Sequence, residues 1–161
     1  MKRFAAALVS IGVASLAACA PADVSGSYTV AVTDQDNGCN LANWTVGSSA
    51  QGIPFAITQS GAAIDGTVGG VTGIGLSLAF GTNVFHGNVA GTHVDMTLSG
   101  TRAMNQGACA YTWVGEAQGD LTGNALQGTI TYRAQTNNSS DCGTLQTCRS
   151  VQAFSGTRPP R

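Results

Sequence analysis

From Tyr28 onward, apolar and polar side chains alternate with period two along most of the chain. Tyr28, Val30 and Val32 alternate with Thr29, Ala31 and Thr33, and Val94, Met96 and Leu98 with His93, Asp95, Thr97 and Ser99. Ile74, Leu76, Leu78 and Phe80 alternate with Gly75, Ser77 and Ala79, and Leu126, Gly128, Ile130 and Tyr132 with Gln127, Thr129, Thr131 and Arg133. No segment keeps a helical period for more than a turn or two. Alternation of this kind marks strands with one buried face, so the chain reads as all-β. The pattern predicts strands over 25–33, 41–48, 53–59, 63–69, 74–80, 83–90, 93–101, 108–119, 125–134 and 149–158. The second rests only on Trp44 and Val46 between polar neighbours.

Four two-residue links begin with glycine: Gly61-Ala62, Gly81-Thr82, Gly91-Thr92 and Gly123-Asn124. Glycine at the first central position suits a type II′ hairpin turn, where φ is positive. Each turn sets a register that can be checked for facing partners. It pairs Phe55 with Val68 and Ile57 with Gly66 across the first. Across the second it pairs Leu78 with Phe85, Leu76 with Gly87 and Ile74 with Val89. Across the third it pairs Val89 with Val94, Gly87 with Met96 and Phe85 with Leu98. Across the fourth it pairs Leu121 with Leu126, Ala117 with Ile130 and Gly115 with Tyr132. In every case the apolar or small side chains fall on one face.

These hairpins form an antiparallel up-and-down meander. An even strand count lets its first and last strands pair, closing a small barrel of about eight to ten strands with no exposed edge. Ten strands place Cys39, Cys109 and the Cys142–Cys148 loop at one end, as disulfides with Cα atoms ~5.5 Å apart require. Four cysteines in an exported chain point to two disulfides, with Cys142–Cys148 and Cys39–Cys109 the preferred pairing. Zinc is the rival reading, but the four lack paired C-x-x-C spacing and both histidines are remote in sequence.

Export is read from the N-terminus. Lys2 and Arg3 precede an apolar run from Phe4 to about Leu16 that is interrupted by Ser10, Gly12 and Ser15. It is shorter than the ~20 residues of a membrane span and has the layout of a secretory signal. Leu16-Ala17-Ala18-Cys19 resembles the lipobox of bacterial lipoproteins. That resemblance implies removal of a signal peptide over 1–18 and acylation of Cys19. It also implies a short linker over 19–24 ahead of a single barrel domain over 25–161. Ala20, where lipoproteins kept at the inner membrane often carry Asp, implies the outer membrane. Ordinary secretion, with Ala18-Cys19-Ala20 as the cleavage site, is the alternative. It would leave Pro21 as the first mature residue, which signal peptidases tolerate poorly.

Composition narrows the function. Charged residues are only 9% of the chain, so Gly, Thr, Ser, Asn and Gln must cover the surface. Losing Lys2 and Arg3 leaves the mature chain acidic, without the basic stripe that nucleic acid requires. No G-x-S-x-G, H-E-x-x-H or phosphate-cradling loop is present, so an enzyme is not expected, nor a cofactor or metal. His86 and His93 project four levels apart on one hairpin, ~13 Å at ~3.3 Å per residue, too far to share an ion. Asp34-Gln35-Asp36-Asn37-Gly38 lacks the later ligands of a calcium loop and reads as a solvated turn. Glu116 and Arg133 are diagonal neighbours on a polar face, an ordinary surface pair.

The aromatic residues carry what functional signal there is. Tyr111, Trp113 and Tyr132 share the inward parity of neighbouring strands, where they either line a ligand pocket or fill the core. Trp44, in a polar stretch near the cysteine-bearing rim, is the best single contact candidate. Gly26-Ser27-Tyr28 resembles the Gly-x-Trp start of lipocalins and avidins, with Tyr in place of Trp. The resemblance implies a calycin-like barrel with Arg158 lying over Tyr28. Ser99-Gly100-Thr101-Arg102 repeats Ser155-Gly156-Thr157-Arg158 and suggests a shared strand-ending device. The expected function is a membrane-tethered β-barrel binding a small molecule or an envelope protein. The alternative is a passive structural lipoprotein with a packed core. Gly66, Gly87, Gly115 and Gly128 discriminate the two: clustered at one level they would open a cavity, spread out they would interleave with large residues.

Overall fold

The computed structural model describes residues 20–160. Cys19, the lipobox and the apolar run before it lie outside the described residues. Nine strands form: β1 (Gly26–Asn37), β2 (Ser49–Ser60), β3 (Ala63–Val68), β4 (Val84–Ala90), β5 (His93–Ser99), β6 (Met104–Gln106), β7 (Cys109–Thr122), β8 (Ala125–Thr136) and β9 (Ser150–Thr157). One helix, α1 (Gly70–Phe80), joins β3 to β4, and a 3₁₀ segment, Ser140–Gln146, joins β8 to β9. Eight strands close an antiparallel up-and-down barrel through β1–β9 and β5–β7 pairing, and β6 only extends one end of β7.

Three of the four glycine turns form as expected. Gly61, Gly91 and Gly123 have φ of 61°, 59° and 59°, and only the first residue of each link is left-handed, as type II′ requires. The registers follow: Phe55 faces Val68, Val89 faces Val94, and Gly115 faces Tyr132. Inward positions carry Ile57, Ile64, Val94, Leu98 and Leu126, all buried. Outward positions carry polar side chains such as Asp65, His86 and Gln118.

Two expected strands are absent. Residues 41–48 are a loop, because Asn40, Asn43 and Gly47 all take positive φ and Asn37 brackets the turn with hydrogen bonds to both the N–H and the carbonyl of Leu41. Residues 74–80 belong to α1, and Gly81-Thr82 is no hairpin turn: Gly81, at φ 83°, is the helix C-cap and donates to the Ser77 carbonyl. β4 therefore pairs with β3, with Gly66 opposite Phe85, rather than with 74–80. Both lost strands lie between Cys39 and Cys109, so the parity of the meander is unchanged and all four cysteines still share one rim. Their pairing differs from the preferred one: Cys39 bonds Cys148 and Cys109 bonds Cys142. Closure explains this, since β1 ends where β9 begins and β7 begins where β8 ends.

The barrel thus has two unlike ends. The narrow end holds the three tight turns and both described termini. The described part of the segment expected as a linker, residues 20–24, packs against it: the Ala22 N–H donates to the Gly91 carbonyl, Gln59 hydrogen-bonds Ala22 and Val24, and Val24 is fully buried. The wide end carries the 38–48 loop, α1, β6, the 3₁₀ segment and both disulfides.

The Ser-Gly-Thr-Arg repeat serves both ends. Arg158 lies 5.6 Å from the centre of the Tyr28 ring and donates to the carbonyls of Ser25 and Asp23, fastening the N-terminal segment. Arg102 donates to the Leu78 carbonyl, and the N–H groups of Thr101 and Arg102 donate to that of Phe80, fastening the C-terminal end of α1. The repeat is a strand-end clamp.

Candidate ligand site

The interior is packed at the narrow end and open beneath α1. A cavity of about 270 Å³ lies in the upper barrel. Its floor and walls include Phe55, Phe85, Met96, Ala117, Leu126 and Phe154, and Thr72 and Leu76 of α1 form its roof. Among the described residues no charged side chain lines it. Apart from Thr72 in the roof, its polar groups gather on one side: the Tyr132 hydroxyl donates to Gln152 Oε1 at 3.0 Å, and Gln152 Nε2 donates to Asp34 Oδ1 at 2.7 Å. Burial, reinforced by the Asp34 charge, pushes the Tyr132 hydroxyl far above its ordinary pKa, so it stays protonated.

The four discriminating glycines do not make this space. A Cβ on Gly66 would meet the Phe55 ring at 2.4 Å, and one on Gly115 the Tyr132 ring at 3.3 Å. Gly87 and Gly128 each lie against the backbone of a neighbouring strand, where a Cβ would fall 1.9 Å from a carbonyl oxygen. Gly66 and Gly115 make room for the Phe55 and Tyr132 rings, and the cavity is lined instead by small residues elsewhere, such as Ala50 and Ala117.

Tyr132 is thus part of the cavity wall. Trp44, on the 38–48 loop, stands edge-on to Tyr132 with ring centres 5.9 Å apart, and Phe80 of α1 meets the same tyrosine at 5.9 Å. Asp34 holds this loop in place, its backbone pairing with Gly47 and Ser48 and its carboxylate accepting from the Thr45 N–H. The indole N–H of Trp44 is shut off from solvent and meets no acceptor among the described residues. Tyr111 and Trp113 share the inward parity but sit above the cavity, opposite Thr136 and Ala134, and pack edge-on against each other.

The surface pairs are unremarkable chemically. Arg133 Nε donates to Glu116 at 2.8 Å, the expected diagonal pair. His86 contacts Asp65, and His93 lies between Asp120 and Asp95, with the Asp120 hydrogen bond holding its pKa above the ordinary value. Among the described residues no group of three or more His, Cys, Asp or Glu side chains is placed to hold a metal ion.

Helix α1 was missed by sequence reasoning, and with it the roof of the site. It carries no charge, and its outer face exposes Val71, Ile74 and Leu78 to 85%, 63% and 64%. The spacing of Thr72, Leu76 and Phe80 at i, i+4 and i+8 was the available signal.

Comparison with protein-family models, curated proteins and solved structures finds no match to this chain. Its function is read from the cavity and rim alone.

Proposed function

We propose that this protein is a membrane-anchored envelope lipoprotein whose barrel binds a small apolar ligand. The cavity beneath α1 carries the reading. An apolar space of about 270 Å³ left open inside a barrel forgoes packing contacts that a purely structural core would make. Larger side chains at Ala117 or Ala50 would remove it if the barrel were only a scaffold, which disfavours the passive alternative. A cavity of ~150 Å³ holds benzene, so this one suits a ligand of roughly ten non-hydrogen atoms. Its wall offers one tyrosine and one glutamine, which supports binding rather than catalysis.

Native mass spectrometry of the protein from its own host tests retention of a small molecule. Ala117→Leu, which fills the floor between Met96 and Ile130, should remove that adduct. It should also raise the stability of the empty protein by about 1 kcal/mol, from extra apolar burial less some strain. A wild-type protein without adduct, unable to take up added 2-nonanone, supports the passive reading instead.

Anchoring is supported by Leu16-Ala17-Ala18-Cys19 and by the ~0.8 kcal/mol that each buried acyl methylene contributes. Cys19→Ser should release the protein from the membrane fraction or block its processing. A matured Cys19→Ser variant that still sediments with membranes overturns this part.

A further inference from the structure

We infer that the cavity selects an uncharged ligand bearing a hydrogen-bond acceptor, and that Asp34 is the residue that excludes anions. The inference rests on the cavity being a binding site, and it names which molecules enter. Three observations converge at the mouth. Apart from Thr72 in the roof, the lining away from Tyr132 and Gln152 is apolar, so the polar end of a ligand chiefly addresses that pair. That pair is oriented by Asp34, because the Tyr132 hydroxyl donates to Gln152 and Gln152 donates to the carboxylate. Behind Tyr132, just outside the cavity lining, the Trp44 N–H is buried with no acceptor among the described residues, a state that ordinarily costs about 1–3 kcal/mol and that an acceptor reaching past the tyrosine would relieve.

Charge decides among the acceptors. Among the described residues no Lys, Arg or His lines the cavity to neutralise a carboxylate or phosphate. Arg102, Arg133 and Arg149 are each engaged elsewhere, with Leu78, Glu116 and Cys148 respectively. The field of Asp34 reaches the wall, since it acts on the Tyr132 hydroxyl. An anion would enter a site of low dielectric facing a fixed negative charge. An ammonium would suit Asp34 but would leave the Trp44 N–H without an acceptor. A ketone, ester or amide on a short apolar body offers the Trp44 N–H an acceptor and brings no negative charge toward Asp34.

The test uses four probes of similar length with the purified protein: nonane, 2-nonanone, octanoate and octylamine, titrated at pH 7 by calorimetry. 2-Nonanone should bind about tenfold more tightly than octanoate. It should also exceed nonane and octylamine by about fivefold, the worth of one neutral hydrogen bond. Asp34→Asn removes the charge and keeps one acceptor oxygen, for Gln152, while its amide NH2 replaces the oxygen that accepts from the Thr45 N–H. It should strengthen octanoate about tenfold relative to 2-nonanone, a ratio that the lost Thr45 contact, common to both probes, does not move. Trp44→Phe should lower 2-nonanone to the level of nonane without changing nonane. If all four probes bind alike, or if Asp34→Asn leaves that ratio unchanged, charge selection is overturned while the cavity remains a binding site. If none binds, the binding reading itself is overturned.

Discussion

Leu98→Asp should unfold the barrel, whereas Thr97→Asp, one residue away, should leave it folded. Leu98 is fully buried opposite Gly115, and an aspartate there would face the core with no partner. Loss of the leucine and burial of an unpaired carboxylate together should cost ~4 kcal/mol or more, a large part of the stability of a domain this size. Thr97 points outward between His86 on β4 and Glu116 on β7. An aspartate there gains His86 and opposes Glu116, already held by Arg133, so the net change should stay below about 1 kcal/mol. Urea denaturation of both variants is the measurement. Equal losses would mean that both faces of the wall are buried, and reversed losses that the register is shifted by one.

Removing the Cys39–Cys148 bond should be the most damaging change at the rim. It spans 109 residues of sequence, and Cys109–Cys142 spans 33. Loop-closure entropy gives about 4.8 and about 3.7 kcal/mol respectively at 25 °C. Paired substitutions, Cys39→Ala with Cys148→Ala and Cys109→Ala with Cys142→Ala, should therefore lower stability in that order. The first pair should also free the 38–48 loop and raise the accessibility of Trp44 to a fluorescence quencher. Unreduced peptide mapping that joined Cys142 to Cys148 would overturn both statements.

The strand pattern and three of the four glycine turns were legible because each depends on neighbours close in sequence, and the two-disulfide framework because four cysteines form an even set. What failed depended on partners far away. Gly81 was read as a hairpin turn since a positive φ serves a type II′ turn and a helix C-cap equally. Ile74, Leu76, Leu78 and Phe80 alternate as a strand would, yet α1 sits where the edge of β3 is already taken by β4. The cysteine pairing needed barrel closure, which puts β1 beside β9 and so Cys39 beside Cys148. Of the aromatic candidates, Tyr132 and Trp44 meet at the cavity mouth. Tyr111 and Trp113 have the right parity but the wrong height, because parity sets the face of a strand and says nothing of level.

The unlike ends of the barrel give it a direction in space. Only two residues separate Cys19 from Ala22, and Ala22 is already fixed to the turn at Gly91. β1 runs 12 residues from that end to the other, a standoff of roughly 30 Å for a tilted strand. A chain tethered by lipid at Cys19 would stand with its mouth, its uncharged helix and Asp34 on the side away from the bilayer that holds it. Cargo would then be exchanged with the aqueous space or with an opposing surface, and not drawn from the host membrane beneath.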